Sequence, residues 1–531
     1  MRRLLFAILV IAFSLASWLL GPAPEPDTGP EPETDPETET VSKKDLRRLF
    51  EISPAAGADS DPEILLALAA IREEGLNRSQ VMMIAEQLTD EFGPRLTGSP
   101  SLERAGEWAM HFLADRGAKR VHKEGWDFGH PGWENQHLDI HVVSPVQEPL
   151  VAEVYAWTPS TNGTIRADIV HLDVHEPITS SRLEELLASI KDKVQSKIVF
   201  VGNGLVNVSI DTDPSALTPR HVDARIMAFL VENGAAARVN SSGMPDGLIR
   251  AFGNRTYDVS KAVPTVILRT EDFGRLVRLL RRGRSVQLEL VIENQVYPRG
   301  KTAFNYIAEF GGQSKSHELI MMGAHLDSWH AATGATDNAA GSAIMIEAMR
   351  ILLALDLQTE RTIRMALWTG EEQGLLGSKA YVRSHFGTDE NPAAEFEVLG
   401  GYVNVDTGTG RLQSALVFGP ESAADVLSRL FRPLSDLGIS GAKATDSRVT
   451  GGSDHTTFNA AGLPGISMVQ DPVRYRTHTW HTNIDTYEQL LPEHLKQAAV
   501  VVASTVYQLA MEEQMIPRFS PPDMPTRVRE W

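Results

Sequence analysis

The sequence predicts an α/β protein with a mixed, mostly parallel sheet flanked by helices and with a β-rich segment inserted into the chain. Beyond Thr302, apolar strand-like runs alternate with helical patterns, which is the order that builds a parallel sheet covered by helices. Between 147 and 292, short β-rich runs are instead separated by turn residues. At 531 residues with 42% hydrophobic content, the chain is long enough for two or more folded units.

The first 20 residues predict an export signal. Arginines at positions 2 and 3 precede an apolar run over residues 4–13, which is the order of charge and hydrophobicity in a signal peptide. Small residues at 14–16 allow cleavage, and because the apolar character continues to Leu20, an uncleaved membrane anchor is the alternative. We therefore expect an exported protein, periplasmic or extracellular, that meets a membrane only through this segment.

Residues 21–44 predict an acidic, proline-rich linker. Seven acids between Glu25 and Glu39 alternate with Pro and Thr without any Lys or Arg, and this composition cannot bury a core. These acids supply part of the net charge of −19. A chain with this charge repels phosphate backbones, which argues against a nucleic-acid partner.

The chain has no cysteine, which excludes disulfides and thiolate ligands and leaves histidines and carboxylates to bind metals.

The remaining chain divides into four predicted parts. Residues 45–146 begin the main domain, with helices expected at 65–71, 81–92 and 101–116, the last capped by Ser101 and stopped by Gly117. Residues 147–292 are the inserted segment, with strand-like runs at 167–172, 197–201 and 263–268. Residues 293–516 complete the main domain, with helical patterns at 339–355 and 493–511, and 517–531 form a surface tail.

Polar side chains follow apolar runs at the points where buried strands should end. His325 and Asp327 follow 319–322, Glu371 and Glu372 follow 363–368, and Asp406 follows 402–405. In open α/β sheets, binding sites form at the carboxyl ends of the strands. With Asp337 and His481, these residues predict hydrolysis assisted by two metal ions, and Zn, Mn and Co suit such ligands.

Each candidate also has an ordinary structural explanation. A single histidine is more often a satisfied core or surface residue, but Asp327, two positions along the strand, can accept the second N–H of His325 and orient its ring. Asp337 is placed to cap the next helix, and the glycines around it also leave room for a carboxylate that bridges two cations. Asp406 precedes glycines and fits either a turn or a ligand.

The adjacent glutamates could be acids in the first turn of a helix, stabilised by its dipole. Because neighbouring side chains point in different directions, one of Glu371 and Glu372 can instead bind a metal while the other reaches the water on it.

His481 competes with His478 for a ligand role. It is favoured because Asp485, four positions on, can anchor its loop or its ring.

Together these motifs resemble the co-catalytic zinc exopeptidases, the family that includes bacterial leucyl aminopeptidase and carboxypeptidase Q. The resemblance covers most of residues 76–511 and rests on motifs at 324–328 (AHLDS), 334–338 (GATDN), 371–378 (EEQGLLGS), Asp406, 453–455 (SDH) and 481–486 (HTNIDT). It implies two zinc ions, one bound by His325, Asp337 and Asp406 and the other by Asp337, Glu372 and His481. Asp337 would bridge them, Glu371 would be the general base, and Asp327 would orient His325.

The resemblance has further implications for the fold and the site. It implies a zinc aminopeptidase-like main domain with a cis peptide bond after Asp337. The segment 147–292 resembles a protease-associated insert, with 197–202 as its central strand, and relatives with this insert can form homodimers. Trp480 stands where some relatives have a tyrosine that stabilises the oxyanion, and its indole N–H is the donor available instead.

The predicted function is that of an exported dinuclear zinc exopeptidase acting on peptides, either an aminopeptidase, which we prefer, or a dipeptidase. Specificity loops share little pattern, so a carboxypeptidase stays open. Two further alternatives are a catalytically inactive, receptor-like binding protein and a single-zinc glutaminyl cyclase-like enzyme. The intact ligand set argues against the first, and the retained second metal site argues against the other.

Overall fold

The computed structural model describes residues 61–175, 177–205 and 215–527, so the predicted leader and linker over residues 1–44 lie outside the described part. Its helices are α1 (Pro62–Asn77), α2 (Val81–Glu86), α3 (Pro100–Ala114), α4 (Ser180–Ile190), α5 (Pro219–Glu232), α6 (Thr270–Arg281), α7 (Ala340–Ala354), α8 (Leu376–His385), α9 (Glu421–Phe431), α10 (His455–Ala461) and α11 (Pro492–Met511). Within these ranges, none is long and apolar enough to cross a bilayer.

One mixed sheet of eight strands carries the strand ends singled out above. Its strands are β1 (Lys119–Asp127), β10 (Thr302–Gly311), β12 (Arg361–Trp368), β11 (Lys315–His325), β13 (Leu399–Asn404), β16 (Gly465–Gln470), β14 (Leu412–Phe418) and β15 (Ala442–Thr445), in that spatial order. The central strands β12, β11, β13 and β16 run parallel, and β1, β10 and β14 pair in antiparallel fashion. The predicted mixed α/β architecture is therefore confirmed.

A second mixed sheet lies between β1 and β10 in the chain. Its spatial order is β3 (Glu148–Pro149), β2 (Gly132–Ser144), β9 (Gln287–Tyr297), β5 (Ile165–Leu172), β6 (Ile198–Val201), β7 (Ala237–Ser241), β8 (Thr265–Leu268) and β4 (Ala152–Val154). The expected strands at 167–172, 197–201 and 263–268 correspond to β5, β6 and β8.

The interpretation of residues 147–292 as simply β-rich was wrong. Strands β5 to β8 are parallel neighbours, and parallel strands need long crossover connections. Two of these connections contain α4 and α5, and α6 follows β8. The signal was present in the sequence, since α4 buries Leu183, Leu187 and Ile190 at helical spacing.

The predicted cap of α3 was also wrong. Ser99, not Ser101, caps the helix, because its Oγ accepts a hydrogen bond from the Leu102 backbone N–H at 3.2 Å. Pro100 then takes the first helical position, where the missing proline N–H has no intrahelical partner to lose.

Helix α7 is buried along almost its whole length, between the sheet and the helices α1, α2 and α11. Its two buried charged residues, Glu347 and Arg350, pair with each other at 2.7 Å. Arg350 also reaches Glu74 of α1 at 2.7 Å, so that no buried charge of α7 is left uncompensated. Because the π-turn Ala335–Ala339 leads directly into this helix, α7 is a rigid support for Asp337.

Candidate metal centre

Three neighbouring parallel strands bring candidate ligands to one edge of the first sheet. His325 is the last residue of β11, and Asp406 and Glu372 lie shortly after the ends of β13 and β12. Asp337 comes from the π-turn before α7, and His481 from the loop that follows β16. Residues far apart in the sequence therefore meet because parallel strands end at the same edge.

The candidate ligands form two groups that share Asp337. In one group, His325 Nε2 lies 3.2 Å from Asp337 Oδ1 and 3.1 Å from Asp406 Oδ1. In the other, His481 Nε2 lies 3.1 Å from Asp337 Oδ2 and 3.0 Å from Glu372 Oε2. Asp337 thus offers a different oxygen to each group, and the ligand atoms within a group all lie within 4.8 Å of one another.

The donor set fits a pair of divalent cations. The imidazole and carboxylate donors are those that zinc prefers when no thiolate is present. Buried atoms of the site also lack hydrogen-bond partners among the described residues, namely Glu372 Oε1 and His481 Nδ1, and Asp337 Oδ2 is near His481 without hydrogen-bond geometry. Unpaired carboxylate oxygens in a buried site, here Glu372 Oε1 and Asp337 Oδ2, are expected of groups that coordinate an ion.

The electrostatics of the site also favour added positive charge. Burial lowers the pKa of His481, but Glu372 and Asp337 outweigh it and raise the value to about 9. Burial raises the pKa of Glu372 to about 7, against the opposing effect of His481. The close negative charges thus favour protonation of both Glu372 and His481. Divalent cations would take the place of these protons as counter-charges.

The peptide bond between Asp337 and Asn338 is cis, which confirms the expectation from the resemblance. Asp485 accepts hydrogen bonds from the backbone N–H groups of Thr336 at 2.6 Å and Asp337 at 3.1 Å. Asp485 was predicted to anchor the His481 loop or its ring, but its carboxylate instead holds the Asp337 loop, and His481 Nδ1 has no hydrogen-bond partner among the described residues.

Asp327 holds a different part of the site from the one predicted. The ring Nδ1 of His325 lies 2.9 Å from the backbone carbonyl oxygen of Asp327 and 3.7 Å from its carboxylate. The carboxylate instead accepts hydrogen bonds from the backbone N–H groups of Glu371 at 3.3 Å and Glu372 at 3.2 Å, and from the Thr97 hydroxyl at 3.1 Å. Asp327 therefore orients His325 through its main chain and the two glutamates through its side chain.

Glu371 and Glu372 differ in surroundings, as expected of adjacent residues. Glu372 lies against His481, whereas no described residue donates a hydrogen bond to the Glu371 carboxylate. Burial raises the pKa of Glu371 well above its usual value, and the carboxylates of Asp406 and Glu372 add to the effect against the attraction of His325. The free carboxylate of Glu371 is placed to exchange protons beside the two ligand groups.

The other histidines considered in the sequence lie outside both groups. His455 is buried with Nε2 3.1 Å from the Thr450 carbonyl oxygen, and burial lowers its pKa. His478 contacts the Thr477 hydroxyl at 2.8 Å. Trp480 packs its ring on His481 with 4.1 Å between ring centroids and a 31° tilt, so it supports that imidazole.

Sequence reasoning missed Arg95, which is buried on the far side of the His325 loop. Its guanidinium donates to backbone carbonyls that include those of Leu326 at 2.8 Å, Thr333 at 2.7 Å and Gly334 at 2.9 Å. Burial lowers its pKa to about 10. A lone arginine in the loop between two helices carries no local signal for such a role, because these three partners lie more than 230 residues away.

Comparison with known proteins extends these observations. Residues 305–506 match the model of Peptidase family M28. Carboxypeptidase Q of Bos taurus is 29% identical over 436 residues, which cover 81% of this chain and 85% of the bovine protein. Carboxypeptidase Q of Homo sapiens is 27% identical over 476 residues, 89% of this chain and 93% of the human protein.

Solved structures share the fold. A peptidase M28 precursor from Shewanella amazonensis superposes with a TM-score of 0.65 and 27% identity, over 87% of this chain and 100% of that one. A zinc aminopeptidase from Bacillus subtilis gives a TM-score of 0.55 with 19% identity, over 84% of this chain and 98% of its own. Because each likeness spans more than four fifths of the chain, it includes both sheets.

Proposed function

Because residues 305–506 match Peptidase family M28 and the chain is similar to carboxypeptidase Q over most of its length, we propose that it is a metallopeptidase of this family. The proposed activity is that of an exported dinuclear zinc exopeptidase, an aminopeptidase or a dipeptidase. The observation that carries the proposal is the arrangement of Asp337, whose two carboxylate oxygens face two separate histidine-carboxylate groups. A site for one ion needs no such shared carboxylate.

The two groups are the proposed binding sites of the ions. His325 and Asp406 would hold one zinc, His481 and Glu372 the other, and Asp337 both. When bound, the zinc ions supply Lewis-acid polarisation of the scissile carbonyl and lower the pKa of the attacking water. The chain itself contributes the rigid placement of these donors, through Asp485 on the Asp337 loop and α7 behind it.

Glu371 is the proposed proton carrier. Its carboxylate takes a proton from the attacking water and returns it to the nitrogen of the leaving amine. The backbone N–H of Glu371 is held by the Asp327 carboxylate, which keeps the side chain in place while it changes protonation state.

Three predictions that lie beyond the site belong to the same proposal. Export rests on the N-terminal signal pattern, which lies outside the described residues. The segment predicted at 147–292, which contributes most strands of the second sheet, is proposed as an insert that shapes access of peptides to the site. A homodimer is the proposed assembly.

Peptide cleavage with added zinc tests the proposal. We expect the chain to hold two zinc ions and to hydrolyse peptides with a free amine and not their N-blocked forms. Preference for N-blocked peptides with free carboxyl ends would indicate a carboxypeptidase instead. One zinc ion per chain, or two zinc ions without peptide hydrolysis, would contradict the proposed activity and favour the cyclase-like or the receptor-like alternative.

A further inference from the structure

Two arginines lie against Trp480, next to the candidate metal centre. The guanidinium carbon of Arg250 is 4.8 Å from the centre of the Trp480 ring, and that of Arg476 is 5.1 Å from it. Trp480 in turn packs on His481. Both cations therefore contact the indole ring that also packs on a proposed metal ligand.

Arg250 is held at this place by the second sheet. It lies in the connection between β7 and β8 and forms a β-bridge with Thr482. The backbone N–H of the neighbouring Ile249 donates to Asn483 Oδ1 at 2.8 Å, and the backbone N–H of Asn483 donates to the Ile249 carbonyl oxygen at 2.9 Å. Arg476 comes from the other direction, in the π-turn Tyr475–Thr479 that precedes Trp480.

Neither arginine has a carboxylate partner among the described residues. Arg250 is half-buried, its Nε is buried without a hydrogen-bond partner, and burial followed by the positive charge of Arg476 lowers its pKa. The fully buried Arg95 and Arg350 are, in contrast, saturated by carbonyl or carboxylate oxygens. Two like charges held together without a counter-charge are unfavourable, and an anion between them would relieve both.

We propose that Arg250 and Arg476 form an anion subsite that binds the C-terminal carboxylate of the substrate. Guanidinium groups bind carboxylates in a forked geometry with charge-assisted hydrogen bonds. Trp480 is the common neighbour of both cations and of His481, and consecutive residues of a peptide are about 3.8 Å apart. This short span fits a carboxylate one residue beyond the scissile bond.

The inference rests on the proposed function and selects its substrate class: dipeptides, with the free carboxylate on the residue that leaves. A longer peptide would place an uncharged amide at the subsite and leave the two arginines without a counter-charge. The arginines also stack on Trp480, and a purely structural role would be limited to that cation–π contact. Discrimination between a carboxylate and its amide separates the two roles.

The test compares a dipeptide with its C-terminal amide on the zinc-loaded full chain. We expect kcat/KM for the free acid to exceed that for the amide by at least about tenfold, because a hydrogen bond to a charged group is made only with the acid. In Arg250→Gln and in Arg476→Gln this ratio should fall toward one, through a loss with the acid alone. Arg474→Gln, an exposed arginine of the same loop, is the matched control and should keep the wild-type ratio.

Calorimetric binding of the same two peptides to zinc-loaded Glu371→Gln separates this inference from the proposed function. Tighter binding of the acid, abolished by adding Arg250→Gln, supports the subsite even if neither peptide is hydrolysed, a result that would refute only the proposed activity. Equal binding and equal hydrolysis of acid and amide by the wild-type site overturn the subsite and leave a peptidase in place.

Discussion

At the scale of single residues, the site depends on how Asp337 divides its two oxygens. Oδ1 faces His325 and Oδ2 faces His481, and the backbone N–H of Asp337 is held by Asp485. Burial would raise the pKa of Asp337, but the two nearby imidazoles of His325 and His481 lower it below its ordinary value. The residue is thus kept as a carboxylate, which is the form that can bridge two cations.

The adjacent glutamates should give different mutant phenotypes. Glu371→Gln removes a proton acceptor that lies outside both ligand groups, so we expect kcat to fall by about a hundredfold or more with two zinc ions retained. Glu372→Gln replaces a proposed ligand beside His481, so zinc binding itself should weaken. Zinc content and kcat measured on both variants check this. Equal zinc loss in the two variants would contradict separate roles.

Asp327→Asn tests the hydrogen bonds that hold both glutamates. An amide at this position has one acceptor oxygen in place of two, so one backbone N–H of Glu371 or Glu372 would lose its partner. We expect about a 10- to 100-fold loss of kcat or of zinc affinity. Thr97→Val, which removes one donor to the same carboxylate, is the milder control. Wild-type kinetics in Asp327→Asn would show that the glutamates need no such support.

At the scale of elements, the ends of parallel strands position three of the proposed ligands, and helix α7 supports Asp337. His325, Glu372 and Asp406 were predictable because each follows a buried strand, and the strand β12 is buried at all eight positions. The loop geometry was not predictable from such patterns. Asp337 was assigned a second role as a helix cap, but α7 has Ala339 at its N-cap and no side-chain cap.

Helix α8 is joined to β1 by a charged histidine, which predicts a dependence of stability on pH. His385 Nε2 lies 3.0 Å from Glu124, and its Nδ1 lies 3.5 Å from Glu395. Burial opposes protonation, but the two glutamates raise the pKa to about 9. Because the folded pKa exceeds the ordinary 6.5, this stabilisation is complete below pH 6.5 and lost as pH rises through 9.

Urea unfolding of wild type and His385→Gln checks this dependence. We expect the difference in unfolding free energy to be about 2 kcal/mol larger at pH 6 than at pH 9.5. His317→Gln, at a largely exposed histidine, should leave the pH dependence of wild type unchanged. A difference that is the same at both pH values would mean that His385 stays neutral.

At the scale of the whole molecule, the site draws on all parts of the described chain. Arg95 ties the N-terminal region to the His325 loop, and the hydrogen bonds between Ile249 and Asn483 tie the second sheet to the His481 loop. The proposed ligands themselves extend from residue 325 to residue 481. Bound metal would therefore cross-link elements that unfolding separates.

Zinc should consequently stabilise the folded chain. A ligand that binds only the native state at a thousandfold excess over its Kd adds about 4 kcal/mol to the unfolding free energy. We expect the melting temperature to rise when zinc is added to the chelator-treated protein, and to rise less in Glu372→Gln. An unchanged melting temperature in wild type would contradict coordination by these residues.

The sequence by itself determined the donor set, the α/β class and the strand ends that carry the ligands, and the family match agrees with the motifs. These features are local, because the apolar pattern of each strand and the polar residues that follow it lie within a few positions of one another in the sequence. Only the tertiary structure decided which atoms meet: the main chain of Asp327 on His325, its carboxylate on the glutamates, Arg95 behind the loop, and Arg250 beside Trp480. Such contacts join residues far apart in the chain, and their geometry depends on how both sheets pack.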